Sequence, residues 1–433
     1  MLNPSPAYAR LTTATDEMAM KPVFEAELSK IWGPVQIQNF FIPRVFSRGG
    51  GRFLIQYRFS TAGAGGKNWI FFGELLGPDE MIPGFVQPGK AFFVPEMRLA
   101  VPVFPFDPKL KELPRFFQMD EAASILSELK PFFDLNGTAA VKRVEVLGYR
   151  LERRSLLRLS IQEKSGNLSI VAKLVRPDKV DRIFGLMQEL EKAGFNKEAE
   201  DKISVPHAFA KTASGVIWQE ALADPSLHDL IGSAAFVSSC QRTARALAKL
   251  HTARLGDLVP HTAEEELKRL QEMVAETARI YPVLKEKMDK VFDSLKTEPP
   301  VLKEETAVPI HRDFYDKQVL IGAERTTLVD VDTLSSGDPA LDVGNFLAHL
   351  SLRAGQHPEA KQTLRQAGQV FVEEYRAATN SVDAETFWKR AGWWETSALL
   401  RLACLYSLRP RWKKLPIPLL DQAEKTLSGE IHA

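Results

Sequence analysis

The chain has 433 residues, 45% of them hydrophobic and 26% charged, enough for two or three domains with sizeable cores and against wholesale disorder. Lys plus Arg number 56 against 55 Asp plus Glu, and a net charge of +1 argues against a surface built to hold duplex nucleic acid or anionic lipid. Cys240 and Cys404 stand alone, with neither a disulfide framework nor a zinc-ligand spacing around them.

The first twenty residues lack an apolar signal-like core, and no run of about 18 apolar residues follows anywhere. The expected setting is therefore cytoplasmic. No nucleic acid and no membrane are expected as partners, and oligomeric state is left open. From about Val35 to Pro105, aromatic and β-branched segments such as RFLIQYRFS and NWIFFGELL read as strands around the Gly-rich turn TAGAGG. MDEAASILSELKPFF then has apolar residues at helical spacing.

Between about Thr138 and Ala221 the same grammar returns in SLLRLSIQE, the turn KSGN and LSIVAKLVRP. Set beside the first copy it suggests an internal duplication, with Lys173 where the first copy has Glu74. From about Asp224 onward the chain is mostly helical, interrupted by a small hairpin island, KQVLIG-AERT-TLVDVD. The expected divisions are 1–133, a β-rich cap; 134–221, a small lobe with a hinge; and 222–433, a mainly helical large lobe.

The segment His311-Arg312-Asp313 runs on to Gln318, and Asp330 follows on the next hairpin. This resembles the catalytic loop and metal-binding segment of kinase-like phosphotransferases. SSGDPALDVGNF resembles the GDPxxDL segment of aminoglycoside phosphotransferases. The resemblance implies an α+β, bilobal, protein-kinase-like fold, and the extra β-rich unit before it is similar in outline to maltokinase caps. It also implies a small-molecule kinase that uses ATP and Mg²⁺. Phosphoryl transfer needs little covalent help, so such a site must hold acceptor, phosphate and cation close together.

On that resemblance Asp313 would be the catalytic base and Asp330 would bind Mg²⁺. Gln318 stands where the family has Asn, one methylene longer but still a hard oxygen ligand. Lys173 would meet the α- and β-phosphates, with Glu189, Glu191 or neither as its partner. Arg153 and Arg154 lie where a glycine-rich loop would be, to meet phosphate or solvent. The main chain at Gln219 and Ala221 would read adenine, beside Trp218 as gatekeeper. His311, Asp338 and Asp342 are structural supports: a packed hinge, a helix cap and a brace for the catalytic loop. Asp332 reads as a solvated carboxylate at the hairpin end, with a second metal contact as the alternative.

His251 in ALAKLH reads as packed, and Trp393, Trp394 and Trp412 as core rather than as the floor of an acceptor site. With no acidic cluster to suit a polycation, the expected acceptor is a neutral sugar-like or aminosugar-like metabolite. Two other readings share the motif. A protein kinase would need an activation segment longer than residues 333–337, and a non-catalytic nucleotide-binding protein would fit the Gln318 departure.

Overall fold

The computed structural model describes residues 2–62, 68–135, 138–163, 166–302, 306–379 and 384–429. Most of the TAGAGG turn, and Lys164 and Ser165 of the KSGN turn, lie outside the described residues.

Two short helices, α1 (Ala9–Ala14) and α2 (Glu17–Trp32), open the chain, and Asp16 caps α2 by accepting from the amides of Met18 and Ala19. An antiparallel sheet follows, made of β1 (Ile37–Gly49), β2 (Arg52–Thr61), β3 (Asn68–Leu75), β4 (Ala91–Val94) and β5 (Leu99–Pro102). Phe24 of α2 is fully buried against the rings of Phe40, Tyr57, Phe59, Phe71 and Phe92, so the aromatic density of this region becomes one core under one helix. The helix α3 (Ala122–Leu129) leads out of it.

The second sheet is formed by β6 (Ala140–Arg150), β7 (Arg154–Glu163) and β8 (Gly166–Val175). After the helix α4 (Pro177–Lys192) and the two-residue β9 (Ile203–Ser204), it is completed by β10 (Ala208–Lys211) and β11 (Val216–Glu220). Leu157, Leu159 and Ile161 alternate inward along β7, the period-two pattern of a sheet with one buried face.

The spatial order is β1-β2-β3-β5-β4 in the first sheet and β6-β7-β8-β11-β10 in the second, every neighbour antiparallel. Third, fifth and fourth strands therefore succeed one another identically in both. Glu74 pairs across the ladder with Leu54, as Lys173 does with Leu156. The two sequence segments that look alike occupy equivalent places.

The remainder is helical: α5 (Phe236–Thr252), α6 (Ala263–Ile280), α7 (Lys285–Thr297), α8 (Ala340–Gln356), α9 (Lys361–Thr379), α10 (Ala384–Ser407) and α11 (Pro416–Leu427). Every residue from Ala340 to Leu350 is buried, which makes α8 the axis of the bundle. Short strands lie at its N-terminal end. One small sheet joins β12 (Pro260–His261), β13 (Val308–Ile310) and β16 (Ser335–Gly337); another joins the hairpin β14 (Val319–Ile321) and β15 (Thr326–Leu328) to β9. The loop between β13 and β14 and the turn after β15 carry the sequence motif into the cleft below the second sheet. No described helix is long and apolar enough to cross a membrane.

Candidate active site

The loop of residues 311–318 begins where β13 ends and is held from below by α8. Asp342, fully buried in the first turn of that helix, accepts from the amides of His311 (2.6 Å) and Arg312 (2.8 Å) and meets His251 Nε2 at 3.2 Å. Arg312 has φ +68°, a left-handed conformation that a non-glycine residue adopts only when its surroundings enforce it. The two bonds to Asp342 do so, straightening the way for Asp313 beside it.

His311 is fully buried and donates Nε2–H to the Val329 carbonyl at 3.0 Å, which ties the loop to the hairpin. Asp316 is buried in a fork with Arg353 (2.8 and 3.0 Å) and bonds His228 Nδ1 at 2.6 Å. That network fixes the turn Asp316–Gln318 and so aims Gln318. Burial opposes the Asp316 charge, but Arg353 and His228 together hold its carboxyl well below the usual range.

Asp338 accepts from the amide of Ala340 (3.0 Å), Arg390 Nε (2.9 Å) and Trp394 Nε1 (3.1 Å). The helix proper starts at Ala340, so the cap position falls on Pro339, one residue later than the dipeptide Asp338-Pro339 suggests. Asp338 still bonds the first turn.

On the opposite wall stand Lys173 of β8 and Arg154 at the start of β7. Arg154 forks onto both oxygens of Asp330, its second contact at 2.7 Å, and lies 3.6 Å from Asp332. Lys173 pairs with Asp332. Gln318 Nε2 is 3.3 Å from Asp330 Oδ2. Two cations of the sheet thus face two carboxylates of the helical part. Burial raises the cost of charge on Asp330, and Arg154 and Lys173 outweigh it, holding this carboxyl at about 2.

One expectation needs correcting here, and one open alternative closes. Asp332 is not a solvated hairpin-end carboxylate: β15 stops at Leu328, Asp330 turns left-handed at φ +62°, and the tight turn Val331–Thr333 folds Asp332 inward, leaving its side chain 13% exposed. Of the alternatives for the partner of Lys173, the structure selects neither glutamate of α4. Glu189 accepts from the Gly256 amide at 3.2 Å, and Glu191 bonds His207 Nδ1 at 2.8 Å. What α4 sends toward the cleft is Arg182, which donates to the carbonyls of Asp332 and Leu334.

Among the described residues no cluster of three or more His, Cys, Asp or Glu could hold a metal by itself. The Asp330 carboxylate and the Gln318 amide do converge, with Gln318 Nε2–H donating to Asp330; the carboxylate oxygens, and the Gln318 amide oxygen once that amide is turned over, are hard donors of the kind Mg²⁺ takes beside phosphate and water. The residues fit that ion.

A cavity of about 590 Å³ opens beside this quartet, with Lys173, Gln219, Gln318 and Asp330 on its walls. Val171, Met187 and Leu222 form its apolar end, near the edge of β11. Gln219 lies in the ladder opposite Val171, and Ala221 is the first residue beyond the strand. Trp218 is buried and donates Nε1–H to Glu128 at 3.1 Å, a contact with α3. Asp313 instead lines a neighbouring pocket of about 200 Å³ that also holds Arg150, Arg153, Arg269, Arg312 and Arg401. Burial lifts the Asp313 carboxyl above the usual range; Arg401 and His311 pull it down and Asp330 pushes it up. His251 bonds the Tyr375 hydroxyl and Asp342, and Trp393 donates to the Leu295 carbonyl, both structural placements.

The sequence reading found most of the residues that meet in the cleft. It leaves Arg154 undecided, places Asp332 in solvent and passes over Asp316, although a second acid within HRDFYD is a visible signal for a buried ion pair in the loop.

Residues 159–379, just over half the chain, match the family model described as the phosphotransferase enzyme family. Among solved structures the chain is similar to a choline kinase from Cryptosporidium parvum Iowa II, at 12% identity and a TM-score of 0.50, covering 71% of this chain and 96% of that one. It is also similar to a choline/ethanolamine kinase family protein from Mesorhizobium loti, at 15% identity and a TM-score of 0.44, covering 72% and 95%. No curated protein matches the sequence significantly.

Proposed function

The chain belongs to the phosphotransferase enzyme family, with its α+β kinase-like fold, and from that premise we propose that it transfers the γ-phosphoryl group of ATP, with Mg²⁺, to a hydroxyl of a small molecule. The observation that carries this reading is the placement of Asp313 on a loop pinned by Asp342, next to a cavity that Lys173, Gln318 and Asp330 line together. The 590 Å³ cavity suits a nucleotide, with the base at the apolar end near Gln219 and Ala221 and the phosphates toward Lys173 and Arg154. A cytoplasmic setting and a division into a cap (1–133), small lobe (134–221) and large lobe (222–433) belong to the same reading.

In the reaction, the acceptor oxygen forms a bond to the γ-phosphorus while the bond from that phosphorus to the bridging oxygen of ADP breaks. The hydroxyl proton passes to the carboxylate of Asp313. Asp330 and Gln318 would hold Mg²⁺, which when bound neutralises charge building on the phosphate oxygens. Lys173 and Arg154 orient the phosphates, exchanging their present carboxylate partners for phosphate oxygens. His311 and Asp342 keep the loop in place without touching the reacting atoms.

Purified protein should release ADP from ATP only with Mg²⁺ and an acceptor. Asp313→Asn should lower kcat by about 10²- to 10⁴-fold, the range for a positioned general base, with thermal stabilisation by ATP plus Mg²⁺ intact. Stabilisation by nucleotide with no turnover across a broad acceptor panel would instead favour a non-catalytic binding protein.

A further inference from the structure

The pocket beside Asp313 is far more basic than a chain of net charge +1 would supply by chance. Arg150, Arg153, Arg269, Arg312 and Arg401 line it, against the carboxylates of Glu266 and Asp313. They come from four separated stretches of sequence. Glu266 is already committed, lying 3.6 Å from Arg401 Nε, 3.9 Å from Arg269 Nη1 and 3.2 Å from the Ser397 hydroxyl. Arg150, Arg153 and Arg312 form no ion pair among the described residues. Among the described residues the Arg312 guanidinium bonds the Ser335 hydroxyl, at 3.3 Å.

Arg150 borders both cavities with its guanidinium held in a fixed plane. Its guanidinium lies over the Phe46 ring, 4.7 Å from the centroid, which sets the plane of the fork. Its Nε is buried with no hydrogen-bond partner, and a buried donor left unsatisfied costs about 1–3 kcal/mol. Burial and the nearby charges of Arg153 and Arg154 push its pKa down to about 10, and burial with neighbouring arginines lowers Arg153 and Arg269 too. His261 on the same wall is also lowered, by burial and then by Arg312, so it adds no lasting positive charge near neutral pH. Positive groups that destabilise one another in a half-enclosed pocket make an anion site.

Nucleotide phosphates account for only part of this charge. Arg154 faces the larger cavity and Arg150 borders both, whereas Arg153, Arg269, Arg312 and Arg401 line the pocket of Asp313 alone. We propose that the acceptor is a small hydroxyl compound that already carries an anionic oxygen group, a phosphate monoester or a carboxylate, gripped by these arginines while its hydroxyl lies against Asp313. This rests on the phosphotransferase reading above and replaces the neutral acceptor expected from sequence. At about 200 Å³ the pocket holds a molecule no larger than a monosaccharide derivative, well below the space for a drug-sized ligand. A cationic amine in this place would meet uncompensated like charge.

The test compares acceptors matched in hydroxyl content and differing in charge: glucose, glucose 6-phosphate, glucuronate, glucosamine, glycerol and glycerol 3-phosphate, each with ATP and Mg²⁺. ADP release and the position of the new phosphate are read out. The expected result is turnover with anionic members only, the phosphate and carboxylate arms showing which group the site takes. Arg269→Gln should raise the KM for the anionic acceptor at least about tenfold, the loss of one charge-assisted bond, with the KM for ATP within about twofold.

Preference for glucose, glycerol or glucosamine would overturn the proposal and leave the kinase reading standing. Calorimetry on the protein saturated with a non-hydrolysable ATP analogue and Mg²⁺ provides an independent check. Glucose 6-phosphate or glucuronate should bind, more weakly in Arg269→Gln and Arg153→Gln. No heat from either anion, or equal heat in the variants, would also overturn it. Failure to bind the nucleotide with Mg²⁺ would remove the kinase reading itself, and the acceptor role with it.

Discussion

Asp313 works in an environment that pulls its proton affinity in two directions. Burial and the charge of Asp330 raise its carboxyl, while Arg401 and His311 lower it. A base must be deprotonated to act, so kcat/KM should rise with pH through the Asp313 pKa, on a limb lying above the ordinary carboxylate range. Arg401→Met removes a cation that favours the ionised form. The acid limb should therefore move to higher pH, by about one unit, and Arg401→Lys should restore most of the shift; an unmoved limb would show that Asp313 does not titrate as the base. Arg353 illustrates the opposite case, a charge that serves structure alone. Its fork with Asp316 is buried on both sides, and Arg353→Met would leave that carboxylate without its main partner. The expected loss is about 3–5 kcal/mol of stability, read as a lower midpoint of urea unfolding.

Elements place these residues through close backbone approach. α8 crosses α10 at Gly344, where a Cβ would stand 2.5 Å from the Glu395 amide nitrogen and 2.7 Å from the Ala391 carbonyl oxygen. Those neighbours are main chain and cannot swing away. Gly344→Ala should force the helices apart, costing about 1–3 kcal/mol or more and lowering kcat, because Asp342 two residues earlier would shift with its helix. Far-ultraviolet circular dichroism during thermal melting, set beside ADP release, checks both. The glycine in DVGNF was visible in the sequence, but its contact with a helix fifty residues on was not. The same division runs through the site. Asp313, Gln318 and Asp330 were legible because their spacing is local and a loop and hairpin join them. Arg154 with Asp330, Lys173 with Asp332, and the arginines around Asp313 are pairings across the cleft between segments far apart in sequence. No periodicity or spacing records such a pairing. That neither glutamate of α4 meets Lys173, one of the alternatives left open by the sequence, has a geometric cause: Glu189 and Glu191 lie at the end of the helix remote from the cleft, where the chain turns toward Gly256 and His207.

At the scale of the molecule, the N-terminal unit holds the phosphate-facing turn of the second sheet. Asp107 Oδ2 accepts from the Tyr149 hydroxyl and from the amide of Glu152, each at 2.9 Å, and its other oxygen caps Lys109 and Leu110. Glu152 has φ +60°, so the turn that delivers Arg153 and Arg154 is held in a conformation it would not adopt unaided. The same unit touches Trp218 through Glu128 and the helical part through Ser47 on Glu276 and Arg411 over Phe41. It therefore bridges both walls of the cleft and limits how they part. Asp107→Ala removes the clamp without changing the identity of any residue that lines the cavity. Four bonds to a buried carboxylate are lost, those from Tyr149 and Glu152 among them, for about 2–4 kcal/mol or more, and the turn relaxes away from φ +60°. The KM for ATP should rise about tenfold, since each 1.4 kcal/mol of misplaced phosphate contact is a factor of ten, while the acid limb set by Asp313 stays where it was. An Asp107→Ala protein that is destabilised yet keeps its KM for ATP would mean that the N-terminal unit supports the fold without organising the phosphate site.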